Sequence, residues 1–324
     1  MPAETLVLHN EPGADLGGID IKNFLEKSIG NSSEAATVDE LGGPLGNPKA
    51  AAYVDAIGQK LVSNTNRKDF GFKFDIVKNN TPNAFALPNG SVYITDGLLR
   101  LLKTESQLAN VLGHEVSHVT KHHTLGQIKV NLIAKLGIEG AGALLNGLFS
   151  KSLSNSFNSE DQKAMKDMGF NLITSGYSRA DESEADEVGQ GLASRSGWSP
   201  TGMVDLMKIF LTLEKGEPKG IEAYMRSHPY SGDRVKEAEK RLSSLSAGGE
   251  IGEEPYRTFL EKVLNISPSE TKLTSVQKAL RFVPGASEAQ ARMTAAEGSG
   301  LLIPALVIGG VTLVIVLVII LRRK

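Results

Sequence analysis

The apolar positions along this chain follow two different periods, and each period marks a set of elements. Phe70, Phe72, Phe74 and Ile76 alternate with smaller or polar neighbours, which predicts a strand over Phe70–Val77. Asn83–Ile94 reads as a strand pair broken by the turn sequence Pro88-Asn89-Gly90. Helical spacing takes over in Pro48–Val62, where Ala52, Ile57, Leu61 and Val62 share a side and Pro48 suits a first turn. Thr95–Leu102 is expected as a short helix. Thr104-Glu105-Ser106-Gln107 then has the spacing of a capping box, opening a helix that carries Leu108, Val111, Leu112 and Val119. Further helices are expected over Gln162–Ser175, Ala180–Ser196, Pro200–Glu214 and Gly232–Ser244.

Three stretches break these patterns. Residues 1–46 are rich in Gly, Asp, Glu, Asn and Ser. They predict a poorly ordered lead-in with one short helix near Ile21–Ser28 and no signal-peptide pattern. Thr124–Phe149 is apolar and Gly-rich but carries Lys129, Lys135 and Glu139, which predicts a buried or membrane-facing helical hairpin rather than a clean span. Residues 247–300 read as a juxtamembrane spacer with short helices at Tyr256–Leu264 and Ser275–Phe282. Leu301–Leu321 holds 21 uncharged residues before Arg322-Arg323-Lys324. As a helix it would reach about 32 Å, matching a hydrocarbon core of about 30 Å. The expected organisation is therefore a lead-in over 1–46, a domain over 47–246, a spacer over 247–300 and a transmembrane helix over 301–321.

Composition narrows the chemistry. With 22% charged residues and a net charge of -2, there is no electrostatic footprint for nucleic acid. The chain has no cysteine, so any structural or catalytic metal must use His and carboxylate ligands. Four of its six histidines, His114, His118, His122 and His123, fall within ten positions.

His114-Glu115-Val116-Ser117-His118 is an H-E-x-x-H motif on the capped helix. Residues four apart share a helix face, so both imidazoles can bind one zinc ion while Glu115 holds the zinc-bound water. Such a site needs a third protein ligand. A metzincin third His would require a Gly that is absent beyond His118. His122 is one turn further on, but a straight helix does not wrap three successive turns around one ion. In the run Tyr177–Asp186, Glu182 and Asp186 lie one turn apart. One can ligate while the other fixes the tautomer of a ligand His. His122 and His123 read as solvated helix-end residues, and Glu184 as a surface residue facing away from Glu182.

At these residues the chain resembles the HtpX/BepA-type zinc metallopeptidases, relatives of the CAAX prenyl proteases. The pattern S-R-x-x-E-x-x-A-D is filled by Ser178-Arg179, Glu182 and Ala185-Asp186. The Asn-Ala-Phe edge strand appears as Asn83-Ala84-Phe85, and a downstream His-Pro with a following Arg as His228-Pro229 and Arg234. The resemblance covers roughly Pro48–Leu245. It implies an α+β fold: a mostly helical zincin-like peptidase domain with a small sheet beside the zinc-binding helix. It implies one Zn2+ held by His114, His118 and Glu182, with Glu115 as general base and Asp186 behind a ligand. Asn83, Ala84 and Phe85 would bind substrate backbone by strand addition. His228 or Arg234 would stabilise the oxyanion, or His228 would fill the open zinc position at rest.

The expected function is a membrane-anchored zinc endopeptidase acting on polypeptides, unfolded or membrane-linked, in protein quality control. The alternative is a non-catalytic, zinc-stabilised chaperone-like or adaptor domain. A peptidase for prenylated C-termini is a third reading, set aside for want of a membrane-embedded chamber. Topology stays open. The basic end favours a peptidase outside the cytoplasm, a tail anchor would place it in the cytosol, and a C-terminal sorting signal would be cleaved.

Overall fold

The computed structural model describes residues 21–67, 70–153, 156–214, 227–228, 232–245 and 248–266, together with two short ladders. The first ladder joins β1 (Asp15–Leu16) to β2 (Ile19–Asp20). Next come α1 (Ile21–Glu40), α2 (Pro48–Val62) and β3 (Lys73–Val77). β4 (Ala84–Ala86), β5 (Ser91–Thr95), α3 (Asp96–Leu99) and α4 (Glu105–Thr120) follow. α5 (His123–Leu153), α6 (Ser159–Thr174), α7 (Arg179–Arg195) and α8 (Thr201–Glu214) continue the chain, before α9 (Gly232–Arg241) and α10 (Glu253–Lys262). The architecture is mostly helical with one small sheet, the expected α+β class.

The sheet order is β3-β5-β4, with β3 parallel and β4 antiparallel to β5. Phe70, Phe72, Phe74 and Ile76 are all buried, as their alternation demanded, although the strand proper begins at Lys73. β3 and β4 are the two edge strands, and β4 lies beside α4. Thr95 ties this corner together. Its hydroxyl caps α3 by accepting from Leu98 N, and it donates to the carbonyls of Thr81 and Asn83.

α4 is the central element. Thr104 Oγ1 accepts from Gln107 N at 3.1 Å, and Gln107 Oε1 accepts from Lys103 N at 2.7 Å, so the N-terminus is closed as the sequence suggested. Every residue from Ser106 to Val119 is buried. Leu108, Val111, Leu112, Val116 and Val119 join the main core with α2, the sheet and Trp198. The remaining face, carrying the histidines, is covered by α7. Contact there is backbone to backbone: a Cβ on Gly113 would stand 2.8 Å from Gly189 O, and one on Gly189 would stand 2.6 Å from His114 N. Two glycines therefore let α7 approach closely enough for short carboxylates to reach the α4 histidines.

The lead-in expectation is corrected. α1 runs for 20 residues, well past the short helix near Ile21–Ser28. Its sequence is weakly apolar, yet Leu25, Ile29 and Val38 are buried against the rest of the fold. Glu26, fully buried, meets Arg67 at 3.1 Å and His122 Nδ1 at 3.1 Å. Glu34 accepts from Tyr93 Oη and Asn89 Nδ2. Long-range packing sets this helix, and local composition does not show it.

The spacer expectation is corrected as well. α10 belongs to the main core: Tyr256 and Phe259 are buried, Phe259 stacks on Tyr53, and Tyr256 Oη donates to Leu99 O at 2.7 Å. Of the span 301–321, the described residues are only Val307–Ile308 (β6) and Val311–Thr312 (β7), which pair antiparallel. The rest of that span and the helix expected at Ser275–Phe282 lie outside the described residues. Among those residues one helix, His123–Lys151, is long and apolar enough to cross a membrane.

Candidate metal centre

α7 starts on a capping box that accounts for the Ser178-Arg179 motif. Ser178 Oγ accepts from Asp181 N at 3.1 Å, and Asp181 Oδ2 accepts from Ser178 N at 3.2 Å. This fixes where the helix begins and so which way Glu182 and Asp186 point. Both face α4 and are buried.

Four side chains converge. One donor atom each from His114, His118, Glu182 and His228 lies within 4.8 Å of all the others, and all four residues are buried. His114 Nε2 stands 3.0 Å from His118 Nε2 and 3.2 Å from His228 Nδ1. Glu182 Oε1 is 3.0 Å from His228 Nδ1 and 3.4 Å from His118 Nε2. Ligands on a tetrahedral zinc with bonds near 2.05 Å sit about 3.3 Å apart. The observed spacings cluster around that value, so these residues fit one zinc ion. His228 supplies a fourth protein donor. The site residues expected from sequence, His114, His118 and Glu182, are thus brought together, with Glu115 and His228 beside them.

Behind the donors, His114 Nδ1 meets Asp186 Oδ1 at 3.0 Å. A proton there leaves Nε2 as the lone-pair side, turned to the cluster. Arg234 closes this layer. Its Nε and Nη2 donate to Asp186 at 2.7 and 2.8 Å, and Nη1 reaches Glu182 Oε2 at 2.6 Å. Arg234 is thus engaged by two carboxylates, which differs from the oxyanion role expected of it. Burial opposes charge on Asp186, but the Arg234 cation outweighs it and holds the carboxyl below its ordinary range. For His114, burial works against the proton and the Glu182 and Asp186 charges overcome it, pushing the imidazole up to about 10 in the metal-free state. His118 goes the other way, driven well down by burial.

Sequence reasoning missed two neighbours. His123 is buried, with Nδ1 3.2 Å from His118 Nδ1 and Nε2 3.1 Å from Glu184 Oε2. When His118 Nε2 faces the cluster, its Nδ1–H donates to His123, whose Nε2–H donates to Glu184. Glu184 also pairs with Lys121 at 2.6 Å. On an unbroken helix, five residues past His118 points elsewhere. The chain breaks at His122, a non-glycine residue with φ 59°, and α5 restarts so that His123 swings back. No glycine marks that break, so the sequence carries no signal for it. The second missed neighbour is Tyr177, buried and stacked on His118 with centroids 3.8 Å apart, whose N–H donates to Ser227 O beside His228.

His123→Ala is expected to lower zinc affinity about 10–100-fold, the usual cost of removing a group that orients a ligand His. Competition with a chelating dye measures it, and an unchanged affinity would exclude the orienting role.

Glu115 is fully buried, and among the described residues neither carboxylate oxygen has a hydrogen-bond partner. His228 Nε2 stands 3.6 Å from Glu115 Oε1. Burial raises its affinity for a proton. Asn83, Ala84 and Phe85 stand on β4. Asn83 O accepts from Thr95 N, and the ladder alternates from there, so the backbone groups of Ala84 and Ala86 point away from β5. Asn83 Oδ1 is buried without a partner. Beside the cluster, Met203, Leu206, Met207 and Phe210 of α8 line a small cavity with His114, Asp186, His228 and Arg234.

An H-E-x-x-H helix, a downstream glutamate on a second helix and a buried carboxylate beside them make up the arrangement of a zinc-dependent peptidase site. The chain belongs to peptidase family M48, whose family model matches residues 48–242. It is 27% identical over 201 residues to the beta-barrel assembly-enhancing protease of Escherichia coli strain K12, covering 62% of this chain and 40% of that protein. Metalloprotease LoiP of the same strain is 27% identical over 201 residues, 61% of this chain and 73% of its own. The mitochondrial metalloendopeptidase OMA1 of Schizosaccharomyces pombe is 26% identical over 245 residues, 74% of this chain and 68% of its own. The match thus spans less than half the length of the first of these relatives.

Proposed function

We propose that this chain is a membrane-anchored endopeptidase that cleaves polypeptides, unfolded or membrane-linked, in protein quality control. The observation that carries the reading is Glu115: a fully buried carboxylate with no hydrogen-bond partner among the described residues, at the edge of a metal-fitting cluster. A charge so placed costs stability and is retained where it has chemistry to do. His114, His118 and Glu182 would hold the zinc, which supplies a polarised carbonyl and a water of lowered pKa. Glu115 takes the proton of the attacking water and passes it to the leaving amine. Asp186 and His123 hold the two ligand imidazoles in the required tautomer, and Arg234 holds the carboxylates. The outward backbone groups of Ala84 and Ala86, with Asn83 Oδ1, pair with an extended substrate by strand addition. Membrane attachment rests on the 301–321 sequence and its basic end.

One observation favours the second reading, a zinc-stabilised holding domain. His228 completes a four-donor set, and closed sites are the mark of structural zinc. The peptidase reading takes His228 as a resting-state ligand that leaves when substrate arrives. Casein cleavage and zinc content, measured on the chain and on His228→Ala, separate the two. The peptidase predicts cleavage that a chelator removes and zinc restores, with the variant keeping its zinc within about tenfold, since three ligands suffice for a catalytic site. A wild-type chain that binds zinc and casein without cutting, and a variant that loses its zinc, would establish the holding domain.

A further inference from the structure

The α5 region is a hairpin. Gly137 takes φ 73° and ψ 172°, which interrupts the helix. Leu25 and Leu125 form one apolar cluster, and Phe149 packs against it. In a straight helix Leu125 and Phe149 would be about 36 Å apart, so the two arms fold back along each other. Their facing residues Ile128, Leu132, Ala141, Leu145 and Leu148 share one cluster with Ile29, Met165 and Met168. Packing stops at Leu132 and resumes only near Ala141. Every residue from Ile133 to Glu139 is exposed.

That exposed end is apolar. Among the described residues five large hydrophobic side chains are exposed, and four of them are Val130, Ile133, Leu136 and Ile138, the last at 76%. Burial ends on every side of the tip at once, so the tip projects beyond the body. Its charges are mainly basic: Lys129 and Lys135 flank it, Lys22 of α1 acts on Lys129, and Glu139 is the acidic exception. His123–Lys151 is long enough to cross a bilayer only as one continuous helix, and the break at Gly137 leaves each arm too short. At 1.5 Å per residue His123–Leu136 reaches about 21 Å and Ile138–Leu153 about 24 Å, against a core of about 30 Å. From Leu132 to Gly137 the tip projects about 7.5 Å, inside the 5–10 Å to which apolar surfaces sink into the headgroup–acyl boundary.

We propose that the α5 hairpin end, with Val130, Ile133, Leu136 and Ile138, inserts into the interfacial layer of an anionic lipid bilayer. Lys22, Lys129 and Lys135 stand at the headgroups, their stems lying along the apolar surface. The depth of the apolar tip, the surrounding lysines and the apolar 301–321 segment of the same chain favour a bilayer over a second protein surface. α5 starts five residues after His118, so this contact would hold the metal centre at a set height above the membrane. Glu115 takes no part in it, and its failure would leave the peptidase reading intact.

The absence of cysteine allows a direct test on the full chain. Ala134→Cys and, as a control on the far body, Ser243→Cys each receive an environment-sensitive fluorophore. With phosphatidylglycerol vesicles the label at 134 is expected to shift to shorter wavelength and to be quenched by lipid-borne nitroxides, while the label at 243 is not. Vesicles of phosphatidylcholine alone should give a weaker response. Ile133→Glu with Leu136→Glu, both at exposed positions, should reduce the quenching at 134 by on the order of tenfold. A label at 134 that stays water-like while the chain sediments with vesicles would overturn the proposal. So would a shift that follows protein concentration without lipid, which would mark a contact between copies.

Discussion

Glu115→Gln should abolish casein cleavage while zinc remains bound, and it should leave the protein as stable as before or more so. The two effects share one cause. Glu115 is fully buried, and neither oxygen has a hydrogen-bond partner among the described residues. An unpartnered buried polar group costs about 1–3 kcal/mol, and a charged one more. The neutral amide keeps the shape and gives up the charge, so unfolding should move to the same or a higher temperature. The amide cannot accept the water proton, so the rate should fall about 10²–10⁴-fold, the range that a positioned proton acceptor contributes. Zinc content should be unchanged, because the proposed ligands His114, His118 and Glu182 do not include Glu115. Full cleavage by the Gln variant would end the assignment of Glu115 as proton acceptor, whatever its stability.

What the sequence showed and what it hid divide along a physical line. Local codes were legible. The capped start of α4, the turn at Pro88-Asn89-Gly90 and the one-turn spacing of Glu182 and Asp186 each depend on residues a few positions apart. They located most of the metal cluster. The resemblance to a known family then distinguished Glu182 from Asp186, which spacing alone had left open. Features set by long-range packing were not legible. α1 is held by buried contacts from Leu25, Glu26 and Ile29 to segments far away in sequence, and its own composition suggests a loose lead-in. α10 reads as spacer until Tyr256 is seen buried against Leu99 O.

The histidine cluster shows the same division at the scale of single residues. His122, expected as a solvated helix-end residue, lies past the end of α4 and pairs with buried Glu26. Helical periodicity misplaced His123, because it assumes an unbroken helix. Glu184 was rightly read as facing away from Glu182, and half of its side chain is exposed. Yet the direction it faces is that of His123. A residue that faces away from a metal can still act on it through a ligand's far nitrogen.

The second large effect is expected at Arg234. Glu182 and Asp186 are both buried, and Arg234 contacts them at 2.6–2.8 Å. Arg234→Leu leaves two carboxylates close together without their guanidinium, with only the His114 imidazole between them. Breaking a buried pair by removing one partner costs about 3–5 kcal/mol. That cost should appear in full only in the zinc-free protein. Bound zinc supplies a cation at Glu182, so the loaded variant should recover part of the loss, and its unfolding temperature should rise more on zinc addition than that of the parent chain. Arg234→Lys tests the geometry separately. It restores a charge but not the fork that grips Asp186 with two N–H groups while reaching Glu182, so it should rescue only part of the stability. Thermal unfolding of both variants with and without zinc measures each effect. If Arg234→Leu unfolds with the parent chain in the zinc-free state, then Arg234 does not hold the carboxylates, and an oxyanion role becomes the better account of its position.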